Sequence, residues 1–351
     1  MIENTFHSSF KLNGIAFNSA QELLVYAKKT DKDVFSFFKQ WFDSNDFVKV
    51  HTSGSTGKPT LIKLKKEYMK NSALATGTFF NLFAGTKSLL CLSSEYIAGK
   101  MMLVRALVLG WELDIITASS KPLEAIKEAY DFCAMVPLQL ANSINKLDKI
   151  KILIVGGGNV SNELIANIQN ATTKVYATYG MTETITHIAI KKLNHYEFNK
   201  TQYFRVLPNI KISKDTRGCL IINAPKISDK KVVTNDLVKI ISETEFKWLG
   251  RHDYIINSGG VKLLPEQIEE KITQFIEERF FVAGIPDDVL GEKLILIIES
   301  KNENSTILKK IKNLSTLTKY EIPKEVYFLL NFIETETKKI QRRKTLDLIF
   351  R

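Results

Sequence analysis

Cysteine is scarce in this sequence, and its scarcity restricts the kind of protein that the chain can form. Three cysteines occur among 351 residues, and each lies in apolar surroundings without a CxxC spacing. A disulfide framework and a cysteine-ligated zinc site are therefore disfavoured. Free cysteines are typical of a reducing compartment, so we expect a cytoplasmic protein.

Long apolar runs are also missing. No uninterrupted apolar segment approaches the roughly 20 residues that a bilayer-spanning helix needs, and the first residues lack a basic patch followed by an apolar core. The sequence therefore predicts neither membrane insertion nor secretion. Repeats and low-complexity linkers are absent, and 44% hydrophobic with 25% charged residues is typical of a folded protein large enough for two domains.

Acidic residues are fewer than basic ones, which gives a net charge of +11. The surplus lies before Gly250, because the two signs nearly balance from Arg251 onward. A basic surface can attract nucleic acid or small anionic molecules. No basic run with interleaved aromatic residues occurs, so we expect no nucleic-acid partner and favour small anions.

A loop rich in glycine and hydroxyl side chains, HTSGSTGKPT, lies at residues 51–60 between two strand-like segments. A Walker A phosphate loop requires GxxxxGK[ST] running directly into a helix. Here only two residues separate Gly54 from Gly57, and Pro59 follows Lys58. The loop is therefore not a Walker A loop, and a flexible turn remains the alternative to a phosphate site.

Beyond this loop, short apolar runs alternate with helical segments, which predicts a mainly parallel sheet covered by helices. One of the helical segments is predicted at residues 122–132. Three strand-like segments before Gly250 then predict an antiparallel portion at the end of the sheet.

A change of pattern near Gly250 predicts a domain boundary. After it, a Gly-Gly turn predicts a hairpin, and Pro265 stands where a proline opens a helix. We therefore predict an α/β fold class. A large N-terminal domain, residues 1–250, would contain mixed, mainly parallel sheets covered by helices, and a hinge would join it to a small α+β C-terminal domain, residues 251–351.

Three further stretches have unusual residue content. ATYGMTET, residues 177–184, ends a predicted strand at the edge of the sheet where ligands of open α/β sheets bind. TNDL places Asp236 at a predicted turn, and the segment around Arg251 and Asp253 lies at the predicted boundary. A basic cluster, ETETKKIQRRKTL, lies near the end. Singly, each has an ordinary explanation as a turn or a solvated face.

Together and in this order, these stretches resemble the signatures of the adenylate-forming superfamily, which contains acyl-CoA synthetases, adenylation domains and luciferases. The family carries a TSG[ST]TGxPK loop, followed by YGxTE, TGD, GRxDxxIxxGGxKLxPxxIE and TxxGKxxR segments. The matching positions are residues 52–59, 179–183, 234–236, 250–269 and 335–342. The resemblance implies a two-domain enzyme that uses ATP to activate a carboxylic acid.

The resemblance assigns ATP contacts to two glycine-containing groups. In the first, backbone amides, hydroxyls and a lysine would wrap the β and γ phosphates, because a glycine loop lets amides converge on an anion. This group comprises Thr52, Ser53, Gly54, Ser55, Thr56, Gly57 and Lys58. In the second, Gly157, Gly158 and Gly180 would let the backbone approach the nucleotide closely, and Gly156 would border the acyl group.

The resemblance also assigns individual side chains to the nucleotide. Tyr179 would stack against adenine, and Thr182 would contact the α-phosphate. Glu183 would hold Mg²⁺, a hard cation that prefers carboxylate oxygen. Asp236 would accept the ribose hydroxyls, and Arg251 would contact ribose or phosphate.

Lys339 matches the terminal lysine that approaches the carboxylate and the α-phosphate in the family. A cation at that place stabilises the charge that develops as pyrophosphate leaves, so we predict Lys339, with Thr182 and Glu183, to be catalytic. Lys338 is the next candidate. Asp253 matches the hinge about which the small domain rotates, and a capping carboxylate before a strand is the alternative.

Departures from the family pattern occur at three positions. Thr60 replaces a lysine, Asn235 replaces the glycine of TGD, and Lys338 replaces the glycine before the terminal lysine. The last change could stiffen the turn that presents Lys339, so an impaired enzyme is kept as an alternative. The phosphate loop also begins at Thr52, so we expect much of the usual N-terminal subdomain to be absent.

The acyl pocket is predicted around the segment SSEYIAGKMMLVRALVLGW. Tyr96 would line it, and Lys100 or Arg105 would supply a cation for a second carboxylate on the acid. The alternative is a core helix whose two charged side chains snorkel to water. With the neighbouring glycines, this segment resembles compact o-succinylbenzoate–CoA ligases of menaquinone synthesis. That resemblance implies ATP and Mg²⁺ as cofactors and CoA as co-substrate.

Two other functions remain open from the sequence. A stand-alone adenylation enzyme that loads an aryl or amino acid onto a carrier protein would share every motif except the acceptor site. A catalytically weak ATP-binding module would explain why Lys338 stands where the family signature has glycine.

Overall fold

A computed structural model describes residues 6–51, 60–196, 201–303, 306–335 and 339–350. The phosphate-loop residues Thr52 to Lys58 lie outside the described residues, as does Lys338. Nothing in the structure therefore bears on those predictions.

Twenty strands are present in the described residues. They are β1 Lys11–Leu12, β2 Ile15–Ala16, β3 Phe47–His51, β4 Leu61–Lys65, β5 Lys87–Leu90, β6 Glu112–Ile115, β7 Tyr130–Met135, β8 Ile150–Val155, β9 Lys174–Gly180, β10 His187–Lys192, β11 Phe204–Val206, β12 Lys211–Lys214, β13 Cys219–Asn223, β14 Val232–Ile240, β15 Glu245–Arg251, β16 Ile256–Ser258, β17 Val261–Leu263, β18 Phe280–Asp287, β19 Gly291–Glu299 and β20 Glu325–Leu329.

Nine α-helices lie between these strands within the described ranges. They are α1 Ala20–Thr30, α2 Lys32–Trp41, α3 Lys66–Phe80, α4 Ile97–Leu109, α5 Pro137–Ala141, α6 Asn162–Asn167, α7 Pro265–Ile272, α8 Ile307–Lys312 and α9 Arg342–Leu346. No helix in the part of the chain that the structure describes is long and apolar enough to cross a membrane.

One large sheet organises the first part of the chain. Its 13 strands follow the order β12-β13-β14-β15-β11-β10-β9-β8-β7-β5-β6-β1-β2. The strands from β9 across to β1 run parallel to one another. The strands from β10 to β12 are antiparallel to their neighbours. This is the predicted mixed sheet, a parallel part that closes with an antiparallel part.

Helices cover both faces of the parallel part. Phe132 and Ile154 point to the face packed with α1 to α4. Their neighbours Cys133 and Leu153 point to the face packed with α5 and α6. Alternate residues of a strand face opposite sides, so a strand buried on both faces is mainly apolar, as β7 and β8 are apart from Asp131 and Lys151.

Two helices before the phosphate loop were not predicted from the sequence. Ser19 accepts a hydrogen bond from the Glu22 backbone N–H at 3.2 Å and caps α1. Asp31 ends α1 and caps α2 by accepting from the Val34 backbone N–H at 3.0 Å. Phe37 and Trp41 of α2 are buried in the same cluster as Phe132. This early segment is therefore part of the core of the large sheet.

A second sheet lies after Gly250, in the order β17-β16-β19-β18 with β20 against β19. The predicted hairpin is present, because Ser258 pairs with Val261 across Gly259 and Gly260. Both glycines have positive φ, 58° and 79°, which a two-residue hairpin turn of this kind requires. α7 begins at Pro265 as predicted and packs through Ile268.

The hydrophobic clusters separate at the predicted boundary. The clusters of the large sheet contain buried residues up to Phe246, and the clusters of the smaller sheet begin at Ile256. The large sheet itself extends to Arg251, which pairs with Asp236. We propose that the boundary between the two domains lies here.

Two expectations were wrong at the level of secondary structure. Residues 122–132 form no helix, because Tyr130–Met135 is the strand between β5 and β8 and the preceding apolar residues pack as a loop. Pairing within the sheet overrides the helical periodicity of that segment. Asp236 lies within β14 rather than at a turn, beside a register shift between Leu237 and Val238.

Candidate active site

Three parallel strands end side by side, and glycines follow two of them. Gly156 directly follows β8, and its backbone N–H donates to the Met135 carbonyl at the end of β7 at 3.1 Å. A Cβ on Gly156 would lie 2.5 Å from the Thr178 hydroxyl oxygen of β9. Only glycine therefore fits there without a shift of the neighbouring side chain. Gly157 and Gly158 follow Gly156 and are exposed.

Gly180 has a structural reason for its identity. A Cβ on Gly180 would lie 2.2 Å from the Thr186 carbonyl oxygen and 2.6 Å from the His187 Cα. The absence of a side chain lets β10 approach the end of β9, which the sequence could not reveal. The predicted contact of Gly180 with nucleotide stays a prediction.

A tight turn follows Gly180 and presents Thr182 and Glu183. The turn runs from Thr182 to Thr184, and the Thr184 hydroxyl accepts from the Met181 backbone N–H at 3.1 Å. The next residue, Ile185, is buried with φ 66°, a conformation that a β-branched residue adopts only under strain. The packing around buried Ile185 holds this strained conformation. The Glu183 side chain is exposed at the sheet edge.

Tyr179 contacts Asp236 directly. The Tyr179 hydroxyl donates to Asp236 Oδ2 at 2.6 Å, and the Tyr179 ring packs edge-on to Phe246 with centroids 5.2 Å apart. Burial and the Asp236 charge raise the pKa of Tyr179, so its hydroxyl remains protonated. The predicted adenine-stacking residue is thus held in place by the residue predicted to bind ribose.

Asp236 and Arg251 face each other across β14 and β15. The Arg251 guanidinium lies 3.7 Å from Asp236 Oδ1, which also accepts from the Trp248 indole N–H at 3.3 Å. Asp236 is 7% exposed, so its carboxylate is held by these donors rather than by bulk water. The structure therefore brings Tyr179, Asp236 and Arg251 together, as predicted for an ATP site.

The predicted hinge residue Asp253 is held on two sides. Arg251 donates to Asp253 Oδ2 at 2.7 Å, and the Asn235 side-chain amide donates to its two oxygens at 3.1 and 3.3 Å. Asn235 itself accepts from Arg217 at 2.9 Å. Asp253 is thus bound to Asn235 of β14 and to Arg251 at the end of β15. Its role as a hinge stays a prediction.

Lys339 comes from the last part of the chain and is exposed. Its backbone exchanges hydrogen bonds with Thr335 at 2.9 and 3.1 Å, which close the loop that presents it. Surrounding protein lowers the pKa of the Lys339 ammonium group, and the like charge of Arg251 lowers it further. Arg251 itself is paired with Asp253 at 2.7 Å and lies 3.7 Å from Asp236. That Lys339 and Arg251 together bind an anion stays a prediction.

Glu266 was missed by the sequence reasoning and connects the two sheets. Its Oε1 accepts from the Arg251 backbone N–H at 3.3 Å, and its buried Oε2 has no hydrogen-bond partner among the described residues. A Cβ on Gly250 would lie 2.4 Å from that oxygen, so Gly250 makes room for the carboxylate. Burial raises the pKa of Glu266. No sequence signal separates it from an ordinary exposed glutamate of a helix.

Lys100 is held by backbone carbonyls of its own loop, and its predicted contact with substrate stays a prediction. Its ammonium group donates to the Ser94 carbonyl at 2.6 Å and to the Glu95 carbonyl at 2.5 Å, and so holds the loop before α4. It also borders a cavity of about 580 Å³ whose wall contains the carboxylates of Asp33, Asp43 and Glu95. These negative charges disfavour a second carboxylate there. Tyr96 stands half-buried at the start of α4.

Arg105 is buried inside the protein, 1% exposed, between α4, α3 and β10. Its guanidinium donates to the Thr76 hydroxyl at 3.3 Å and lies 3.5 Å from His187 Nδ1 and 3.7 Å from Met102 Sδ. No carboxylate of the described residues forms an ion pair with it. Burial lowers the pKa of Arg105 to about 9, so it is charged at neutral pH. The alternative that Lys100 and Arg105 snorkel to water is wrong, because both are buried.

A magnesium ion fits this edge only together with phosphate oxygens. The described residues contain no group of three metal-binding side chains. Mg²⁺ commonly takes one or two carboxylates and completes its octahedron with substrate phosphates and water. The exposed carboxylate of Glu183 has the required chemistry, so Glu183 would hold the ion against the phosphates of a bound nucleotide.

The family follows from a sequence comparison. A model described as AMP-binding enzyme matches residues 15–219, which is more than half of the chain. This chain belongs to the AMP-binding enzyme family. The match agrees with the adenylate-forming signatures, and the predicted superfamily is confirmed.

Curated relatives are similar over most of their length. A 2-succinylbenzoate–CoA ligase of Geobacillus sp. is 24% identical, with 89% of this chain and 71% of the relative covered. A 2-succinylbenzoate–CoA ligase of Bacillus cereus is also 24% identical, with 86% and 69% covered.

Solved structures of the family share the fold. An acyl-CoA synthetase (AMP-forming)/AMP-acid ligase II-like protein of Dyadobacter fermentans is 35% identical with a TM-score of 0.61, and the match covers 93% of this chain and 98% of that one. An o-succinylbenzoate coenzyme A synthetase of Bacillus subtilis, in complex with ATP and magnesium ion, is 18% identical with a TM-score of 0.73, and 94% and 82% are covered. The predicted α/β fold with a second, smaller sheet is confirmed.

Proposed function

We propose that this protein is an AMP-forming acid–CoA ligase whose substrates are a carboxylic acid, ATP and CoA. The observation that supports the proposal is the contact of Tyr179 with Asp236, and of Asp236 with Arg251, at the edge of the large sheet. Asp236 would supply the carboxylate for ribose, and Arg251 and Lys339 would supply cations for phosphate and acid. No nucleic-acid partner is expected, and a cytoplasmic location stays a prediction.

The first half-reaction would use these groups to form an acyl-adenylate. Asp236 would accept the ribose hydroxyls, and Arg251 and Lys339 would face the carboxylate and the α-phosphate. As the carboxylate oxygen attacks the α-phosphorus and pyrophosphate leaves, negative charge builds up on the phosphate oxygens. Fixed cations stabilise that charge without reorganising, which lowers the barrier. Mg²⁺, held through Glu183, would neutralise phosphate charge when bound.

The second half-reaction would use the same acyl-adenylate with the C-terminal domain turned away. The CoA thiol would displace AMP and form the thioester. Lys339 lies in that domain and would leave the site as the domain rotates at Asp253. Rotation would have to break the bonds that Asp253 makes with Arg251 and Asn235, so the hinge would set how often the site opens.

The acid is proposed to be o-succinylbenzoate, which carries one aliphatic and one aromatic carboxylate. The curated relatives that act on 2-succinylbenzoate support this choice. Independent support comes from Arg105, a buried cation without a carboxylate partner in the described residues. A buried guanidinium gains most from a carboxylate when the protein supplies none. The succinyl carboxylate would be activated, and Arg105 would anchor the aromatic one.

The test is to measure AMP release from ATP and o-succinylbenzoate with and without CoA. CoA-dependent AMP release together with a new thioester is the expected result. Adenylate that accumulates but never passes to CoA would contradict the ligase and favour a carrier-loading enzyme. ATP that binds but is not cleaved would favour an ATP-binding module. A succinylbenzoate isomer with its ring carboxylate in the para position tests the pocket geometry and should be a poor substrate.

A further inference from the structure

His187 belongs to a hydrogen-bonded chain that fixes its tautomer. The Thr76 hydroxyl donates to the Ser72 carbonyl at 3.0 Å, so its oxygen is left to accept. It accepts from Arg105 Nε at 3.3 Å and lies 3.4 Å from His187 Nε2. His187 Nε2 therefore carries the hydrogen. The other ring nitrogen, Nδ1, then offers its lone pair to Arg105 at 3.5 Å.

His187 holds Arg105 without neutralising it. His187 is 4% exposed, and burial together with the Arg105 charge lowers its pKa well below the ordinary value. The ring is therefore neutral at physiological pH. A carboxylate at this position would form an internal ion pair with Arg105 and compete with any carboxylate of the substrate. A neutral acceptor orients the guanidinium and leaves its charge uncompensated.

The rest of the guanidinium has no carboxylate partner among the described residues. Thr76 and His187 engage Nε and one of the terminal nitrogens. The other terminal nitrogen faces only Met102 Sδ at 3.7 Å, and a thioether is a weak acceptor. The two terminal nitrogens of an arginine together match a carboxylate in bidentate geometry. A substrate carboxylate that reached the edge between the two terminal nitrogens would take the place of Met102 Sδ, while Thr76 and His187 kept the guanidinium in its orientation.

We propose that His187 is a positioning residue that makes the acyl pocket select acids with a second carboxylate. It acts through Arg105 and touches neither ATP nor the carboxylate that is activated. The proposal rests on the proposed function, because it assumes that Arg105 binds the aromatic carboxylate. His187 is 82 residues from Arg105 in the chain and lies on a different element, so no local motif points to the pair.

The experiment compares two acids in the full-length protein and in two variants. The acids are o-succinylbenzoate and 4-oxo-4-phenylbutanoate, which lacks the ring carboxylate. In the wild type, kcat/KM should favour the first acid strongly. His187→Leu should reduce that preference roughly tenfold or more, because a hydrogen bond to a charged group is lost. The change should appear in KM for o-succinylbenzoate, with turnover of the shorter acid preserved.

His187→Gln is the matched control, because an amide also offers one acceptor to Arg105 and one donor to Thr76. It should retain most of the preference for o-succinylbenzoate. An unchanged preference in His187→Leu overturns the proposal, and so does an equal loss of activity on both acids, which indicates a structural role. If the wild type itself shows no preference between the acids, Arg105 is not the anchor and the proposed substrate fails first.

Discussion

Lys339 is the residue on which the proposed chemistry depends most directly. The surrounding protein lowers the pKa of its ammonium group by desolvation, and the charge of Arg251 lowers that pKa further. A lysine with a lowered pKa is still a cation at neutral pH, and it loses its charge at a lower pH than a free lysine does. Its contribution to adenylation is therefore tied to its protonation.

Replacing Lys339 by alanine should lower the adenylation rate roughly 10²-fold or more and largely spare thioester formation from preformed acyl-adenylate. The reason is that the cation acts on charge that develops only in the first half-reaction. Single-turnover measurements of the two half-reactions check this. Equal losses in both would show that Lys339 does not have this role.

The same residue should leave a signature in the pH profile. The wild-type adenylation rate should fall as pH rises through the lowered pKa of Lys339, because the ammonium group becomes neutral. Lys339→Arg keeps its charge over that range, so its slower rate should not fall in the same way. A wild-type rate that stays level to pH 10 would contradict the assignment.

Among the structural elements, the turn after β15 connects the two sheets and carries Asp253. Asn235 occupies a position where the family signature has glycine, and its amide holds both oxygens of Asp253. Arg217 in turn holds Asn235 at 2.9 Å. A glycine could make neither contact, so this chain restrains its turn more firmly than the signature alone would suggest.

Asn235→Gly should therefore raise the rate of thioester formation from preformed acyl-adenylate roughly two- to tenfold, since exposed hydrogen bonds of this kind contribute modestly. Domain rotation would become easier because the restraint on Asp253 is lost. Single-turnover mixing with CoA measures the rate. Asn209→Gly is the matched control, because Asn209 is exposed with φ 65° and lies away from the turn. A rate unchanged in both variants would refute the restraint.

At the scale of the whole molecule, sequence reasoning succeeded where the pattern is local. The Gly-Gly turn before Val261 and the start of α7 at Pro265 follow from the conformations that glycine and proline allow. Neither requires knowledge of distant contacts. The contacts that join Tyr179, Asp236 and Arg251 do, and they were expected only because the resemblance to the family implies them.

Sequence reasoning failed where contacts between elements that are distant in the chain determine the structure. Residues 122–132 have a helical pattern, but the last of them belong to β7, which pairs with β5 on one side and β8 on the other. The hydrogen bonds of Lys100 to backbone carbonyls of the preceding loop could not be foreseen from the sequence, and its contact with substrate stays a prediction. No sequence pattern pointed to His187 or Glu266, because their roles depend on contacts with residues of other elements. Packing, which sequence periodicity does not encode, makes the difference in each case.

The scarce cysteines have a consequence for measuring how the sheet opens. Cys91, Cys133 and Cys219 are fully buried, so a thiol reagent can reach them only when the structure opens locally. Cys219 lies in β13 near one end of the large sheet, whereas Cys91 follows β5 and Cys133 lies in β7 of the parallel part, with sulfurs 3.7 Å apart. Cys219 should therefore be labelled first in native buffer. ATP should slow that labelling, because Cys219 pairs with Leu237 beside Asp236. The labelling rates of the individual cysteines, followed by mass spectrometry, would thus distinguish local opening of the sheet near Asp236 from unfolding of the core.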